Sequence, residues 1–110
     1  DFMEDYRDAS YVRNYISDAS DMEHIIETYE KNKASGKPAF IFNVTMQNHG
    51  GYTDTYMNLT NDSQSQYASE PLNQYLTLIH KTDQALENLI DYFSKVDDRT
   101  IIVFFGDHQP

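Results

Sequence analysis

The clearest pattern lies in the second half of the chain. Leu72, Tyr75, Leu76, Ile79, Ala85 with Leu86, Leu89, Ile90, Phe93 and Val96 fall on one apolar stripe at helical spacing. That spacing predicts a helix over 71–96. Ser69-Glu70-Pro71 opens it, because proline is tolerated in a first turn whose amides have no helical partner. A shorter pattern of the same kind, Met22, Ile25, Ile26 and Tyr29, predicts a helix over 21–33. Ser20-Asp21-Met22-Glu23 reads as its capping box, Lys31 and Lys33 sit at the negative end of its dipole, and Gly36 with Pro38 stops it.

Two apolar runs break the helical period. Residues 39–46 (AFIFNVTM) and 100–105 (TIIVFF) are short and rich in β-branched and aromatic residues, the composition of strands buried on both faces. Between the first run and the long helix, residues 47–70 are polar and rich in Gly, Asn and Ser, a length of connection that is usually functional. Within it, Tyr52–Leu59 alternates enough for a short edge strand, and residues 1–19 read as an extended or irregular lead-in. The order helix, strand, loop, helix, strand predicts an α/β fold. The two strands and the long helix would form a βαβ unit, parallel and right-handed. Parallel strands end on the same sheet edge, so His49 and the pair Asp107-His108 are expected on one rim, where open α/β sheets place their ligands.

That expectation draws attention to the last residues, FFGDHQP. A carboxylate next to an imidazole suits zinc, manganese or magnesium-type cations, and Gly106 lets the backbone bend so that both side chains turn inward. The same residues also make an ordinary solvated turn. His49 lies in Gln47-Asn48-His49-Gly50-Gly51, where the glycines allow a substrate close to the backbone and Asn48 offers a donor and an acceptor; a flexible loop with an idle histidine is the alternative. His80 reads as a satisfied structural histidine near the apolar stripe, His24 as a solvated helix-face residue and Asp83 as helical surface or a packing contact. Asn43, Asn58 and Asn61 begin N-x-S/T sequons, of which Asn43 falls in a predicted buried strand. Arg13 is a candidate to approach the rim.

Composition narrows the classes. The chain has 110 residues, enough for at most one domain with a modest core, and six Phe with nine Tyr are too many for a disordered tail. A net charge of −10 argues against nucleic acid and against anionic lipid as docking partners. There is no cysteine, hence no disulfide framework and no thiolate metal site, which by itself localises nothing. No apolar run approaches the roughly 20 residues of a membrane span and no signal peptide is present. Asp1 at the start and Pro110 directly after the most reactive-looking residues suggest an excerpt from a longer protein.

Taken in order, FIFNVTMQNHGGY, YLTLIHKTDQALENLIDYF and TIIVFFGDHQP resemble the sulfatase-like branch of the alkaline phosphatase superfamily. Within it the resemblance is greatest to the lipoteichoic acid synthase and phosphoglycerol transferase group, whose segment before the strand is also similar to YVRNYISDASDMEHIIETYE. It implies a membrane-anchored bacterial protein with an α/β catalytic domain outside the cytoplasm. In such enzymes a threonine beside a divalent cation, often manganese, takes phosphoglycerol from a phospholipid head group for a cell-envelope glycopolymer. By resemblance, Asp107 and His108 match the Gly-Asp-His metal motif, and His49, with Asn48, matches the Asn-His loop that contacts the substrate. The resemblance assigns no role to Arg13. The nucleophile and the remaining acidic ligand of the family lie upstream of this segment, so the chain alone is expected to be inert and its cation site incomplete. Gln109-Pro110 stands where Tyr-Gly follows the motif in typical lipoteichoic acid synthases, which points to another subgroup. The alternatives are a fragment of a sulfatase or of a phosphodiester or phosphomonoester hydrolase, acting on an anionic ester, and a non-catalytic interaction module. With its apolar strands uncovered, the fragment is also expected to self-associate.

Overall fold

Short polar side chains decide where the first helix begins. In the computed structural model, which describes residue 6 and residues 8–109, α1 spans Asp18–Lys33 and starts three residues before the predicted helix. Residues 1–5 and 7 of the lead-in, and Pro110, lie outside the described residues. The cap is Ser17 rather than Ser20: the Ser17 hydroxyl accepts the Ser20 amide at 3.2 Å, and Asp18 and Asp21 favour the positive end of the dipole. The Ser20 hydroxyl is used elsewhere. It accepts the backbone amide of Ser10 at 2.9 Å and so ties the preceding segment to the helix. That segment is not irregular throughout, because Tyr11–Val12 (β1) and Tyr15–Ile16 (β2) form a small antiparallel hairpin. At the other end Lys31 and Lys33 fill the last turn as expected, and Gly36 at φ +67° takes the left-handed conformation that a side chain would resist.

The second helix, α2, spans Glu70–Ser94, with Pro71 in its first turn and its end two residues short of the prediction. The amides of Lys95 and Val96 close onto the carbonyls of Tyr92 and Phe93, tightening the last turn. α1 and α2 pack through Met22, Ala85 and Leu89, flanked by Ile25, Ile26, Leu86 and Phe93. Burying a leucine such as Leu89 contributes roughly 1.5–3 kcal/mol, so this small cluster sets how the helices sit. Tyr29 packs edge-on against Phe93, and its hydroxyl donates to Asp98 while that of Tyr92 donates to Glu30.

The two apolar runs depart from expectation. Neither 39–46 nor 100–105 forms a hydrogen-bonded ladder, so the predicted parallel pair is not formed; among the described residues β1 and β2 are the paired strands. An apolar run becomes a strand only with a neighbour about 4.8 Å away, and consecutive strands of a sheet are not always neighbours. Residues 41–46 still alternate between half-buried and exposed, with Phe42, Val44 and Met46 outward, whereas 101–105 are exposed throughout. Burial on both faces is therefore not achieved within this chain. Tyr52–Leu59 is loop, not an edge strand. Two helices, a hairpin and two apolar runs are consistent with an α/β arrangement, and no described helix is long and apolar enough to cross a membrane.

Candidate functional site

The two helices and both apolar runs bound one groove of about 1140 Å³, and Asn48, His49, Asp107 and His108 all lie on its wall. The sequence-predicted site residues thus line the same groove, although among the described residues the strand pair expected to set them on one rim is absent.

The stretch after the first run is held from three sides. The Gln47 side chain is buried; its amide nitrogen donates to the Leu78 carbonyl at 3.4 Å and the Thr82 hydroxyl at 3.3 Å, while its oxygen accepts the Asp18 amide at 3.1 Å. Asn48 turns inward too, donating to Thr82 at 2.7 Å and accepting from Gln47 at 3.3 Å. One N–H and one lone pair of Asn48 are therefore committed to the scaffold, which leaves less for a substrate than its sequence context suggests. His49 is the reverse case. Its amide donates to the Met46 carbonyl at 3.0 Å and its carbonyl accepts from Arg13 at 2.7 Å, yet its ring is exposed, with Tyr15 tilted 5.9 Å away. The backbone is fixed and the imidazole is available.

Two buried groups in this scaffold were not singled out from the sequence as site residues. Asp18, fully buried, accepts the Thr82 hydroxyl proton at 2.5 Å, and its other oxygen makes no well-formed hydrogen bond, although Thr45 and the Gln47 amide lie near the carboxyl. Burial pushes its carboxyl above its ordinary value, against the opposing hydrogen bond from Thr82; burial raises Asp21 in the same way. A raised folded-state pKa means these groups hold more protons in the native state than in the unfolded chain, so their contribution to stability is greatest at low pH and is lost as pH rises through the folded value. We expect chemical denaturation followed upward from about pH 4 to show that decline, and Asp18→Asn to make it shallower, with the part from Asp21 remaining. A slope in Asp18→Asn as steep as in the wild type would clear Asp18 of the effect. The residues Asn73, Gln74 and Thr77 on α2 are the other omission. They lie off the apolar stripe yet are buried, because Asn73 and Thr77 accept the amides of Ser65 and Ser63, and Gln74 donates to the Asp54 carbonyl. The helix uses this polar face to anchor the long loop, while Ile79 and Ile90 of the stripe stay partly exposed. His80 is exposed rather than packed as a core histidine, Asp83 is exposed on the groove, and His24 is half-buried against the Tyr6 ring.

Asp107 and His108 are both exposed, with Asp107 Oδ2 3.5 Å from His108 Nε2. His108 Nδ1 lies 2.7 Å from the Gln109 carbonyl, which can only accept, so the proton of the neutral ring belongs on Nδ1. In the neutral ring Nε2, 3.5 Å from the carboxylate oxygen, then carries the lone pair, so the two atoms are of the kind that bind a divalent cation. The donor set fits a divalent ion, but only in part: among the described residues no three His, Cys, Asp or Glu side chains cluster as a metal site.

Known proteins resemble this chain over most of its length. A family model described as sulfatase matches residues 2–110. The capsular polysaccharide biosynthesis protein RkpI of Rhizobium meliloti (strain 1021) is 34% identical over 99 residues, covering 87% of this chain and 16% of that protein. A putative cyclic beta-1,2-glucan modification protein of the same organism is 32% identical over 100 residues, covering 87% of this chain and 15% of its own length. The chain therefore spans about a sixth of the curated relatives it matches. No solved structure gives a significant match. With a match that runs through the hairpin, both helices, the His49 turn and the Asp107-His108 pair, this chain belongs to the sulfatase family.

Proposed function

We propose that these residues form part of the catalytic domain of a metal-dependent phosphoglycerol transferase, which moves a phosphoglycerol group from a phospholipid head group to a cell-envelope glycan. The observation that carries the reading is the shared groove, with a pinned turn exposing His49 on the same wall as the adjacent carboxylate and imidazole of Asp107 and His108. His49 is the substrate contact, donating to a phosphate or glycerol oxygen, and Asn48 holds the turn while keeping one N–H for the substrate. Asp107 and His108 hold the divalent cation, manganese by resemblance, with magnesium or zinc as alternatives. When bound, that ion lowers the pKa of a hydroxyl nucleophile and offsets the charge of the phosphate. Such an offset matters here, because an anionic ester approaches a chain of net charge −10. The nucleophile itself belongs to a part of the protein outside these residues. The names of the two relatives, one for a capsular polysaccharide and one for a cyclic glucan, support a glycan acceptor, and the resemblance supplies the placement of the catalytic domain on the outer side of a membrane-anchored bacterial protein.

The family description favours one second reading, hydrolysis of a sulfate or phosphate ester at the same site. The test is full-length protein with manganese, given phosphatidylglycerol labelled in its head group together with a glucan acceptor. Label recovered on the glucan is the expected result. Release of sulfate or phosphate from aryl esters with no transfer would install the second reading. Neither activity would leave a binding module that keeps the fold.

A further inference from the structure

The hairpin places an arginine where its backbone favours glycine. Arg13 and Asn14 connect Val12 to Tyr15, and Arg13 alone of the two has a positive φ, +57°. That is the sign pattern of a type II′ turn, whose first central position is typically glycine. A residue held in so unfavourable a conformation persists where the surroundings over-determine it, and such positions concentrate at functional sites.

The surroundings are specific. The Arg13 side chain, only 4% exposed, donates from one terminal nitrogen to the Gly51 carbonyl at 3.0 Å and from the other to the carbonyls of Gln47 at 2.5 Å and His49 at 2.7 Å. Its guanidinium lies 5.4 Å from the Tyr15 ring, 5.7 Å from Tyr52 and 5.9 Å from Tyr56. Among the described residues no carboxylate pairs with it, so its charge is directed at alternate carbonyls of one turn. Asn58 secures the hairpin from behind, donating to the Arg13 carbonyl at 2.9 Å, and the Tyr52 hydroxyl donates to the Asn48 carbonyl at 2.8 Å. A planar fork spans three carbonyls in a way that a single ammonium does not.

We infer that Arg13 is a positioning residue: it sets the curvature of the 47–51 turn and thereby presents the His49 ring to the groove. The role for the reaction rests on reading His49 as the substrate contact; the holding of the turn does not.

Arg13→Gly and Arg13→Lys in the full-length protein test both parts. Glycine suits this backbone better than arginine, so a role confined to the hairpin predicts that Arg13→Gly is folded and active like the wild type. The positioning role predicts amide exchange across residues 47–51 faster by about tenfold or more in Arg13→Gly, with α1 and α2 unchanged and Arg13→Lys in between. With phosphatidylglycerol vesicles as donor, kcat/KM falls by about tenfold or more, and the same substitution adds nothing in a His49→Ala background, because the two act as one unit. Unchanged exchange at 47–51, or losses that add fully with His49→Ala, overturns the inference. If the wild type transfers nothing from these vesicles, the proposed function fails while the exchange measurement still decides the part played by Arg13.

Discussion

Alanine at Asp107 or His108 in the full-length protein is expected to abolish turnover. The expected loss in kcat/KM is about a thousandfold or more, since a bound cation supplies several kcal/mol and each 1.4 kcal/mol is tenfold. The two residues are adjacent and exposed in this chain, so truncation removes no packing among its own residues. In the proposed reading, what is lost is a pair of ligands: Nδ1 of His108 is occupied by the Gln109 carbonyl, and Asp107 Oδ1 accepts the His108 amide at 2.9 Å, which leaves Nε2 and Oδ2 3.5 Å apart. Full turnover in either variant would remove that residue from the cation site. The 110-residue chain by itself should bind manganese only weakly, because two ligands leave most of a four- to six-coordinate shell to water. Submicromolar affinity by calorimetry would mean that ligands beyond this pair lie within the chain.

The isolated chain is expected to self-associate at micromolar concentration. Phe40 is 92% exposed, Ile101 81% and Val103 75%, and both apolar runs lack ladder partners. Covering each such side chain is worth roughly 1.5–3 kcal/mol, which is large beside the net stability of a small domain. Unpaired backbone in an apolar run is also a template for pairing with a second copy. The net charge of −10 opposes close approach, and salt screens that repulsion, so association should strengthen as ionic strength rises. Sedimentation showing a monomeric, cooperatively folded species at high micromolar concentration and high salt would defeat the expectation.

The elements most legible in the sequence were those with a local cause. Helical periodicity located α2 to within two residues of its end, because its stripe repeats over many turns and Pro71 marks its start. The start of α1 was misplaced because Ser17 and Ser20 are both competent caps, and a sequence does not say which hydroxyl is needed elsewhere; here Ser20 is taken by the Ser10 amide. The hairpin was missed for a similar reason: two-residue strands have no period, and Arg13-Asn14 lacks the glycine that announces such a turn.

The chain by itself determined which residue types could do chemistry and roughly where helices would run, since both depend on side chains near one another in sequence. Tertiary structure decided what those residues do for one another. Nothing local to Asn73, Thr77 or Gln74 says that they will be buried to satisfy the backbone of a loop, and nothing local to Arg13 says that it will meet three carbonyls more than thirty residues away. The strand pair shows the same limit from the other side. Apolar composition marks 39–46 and 100–105 as segments that want cover, but a ladder needs a particular neighbour at a particular distance. That neighbour is a property of the assembled domain, and the residues of the run carry no record of it.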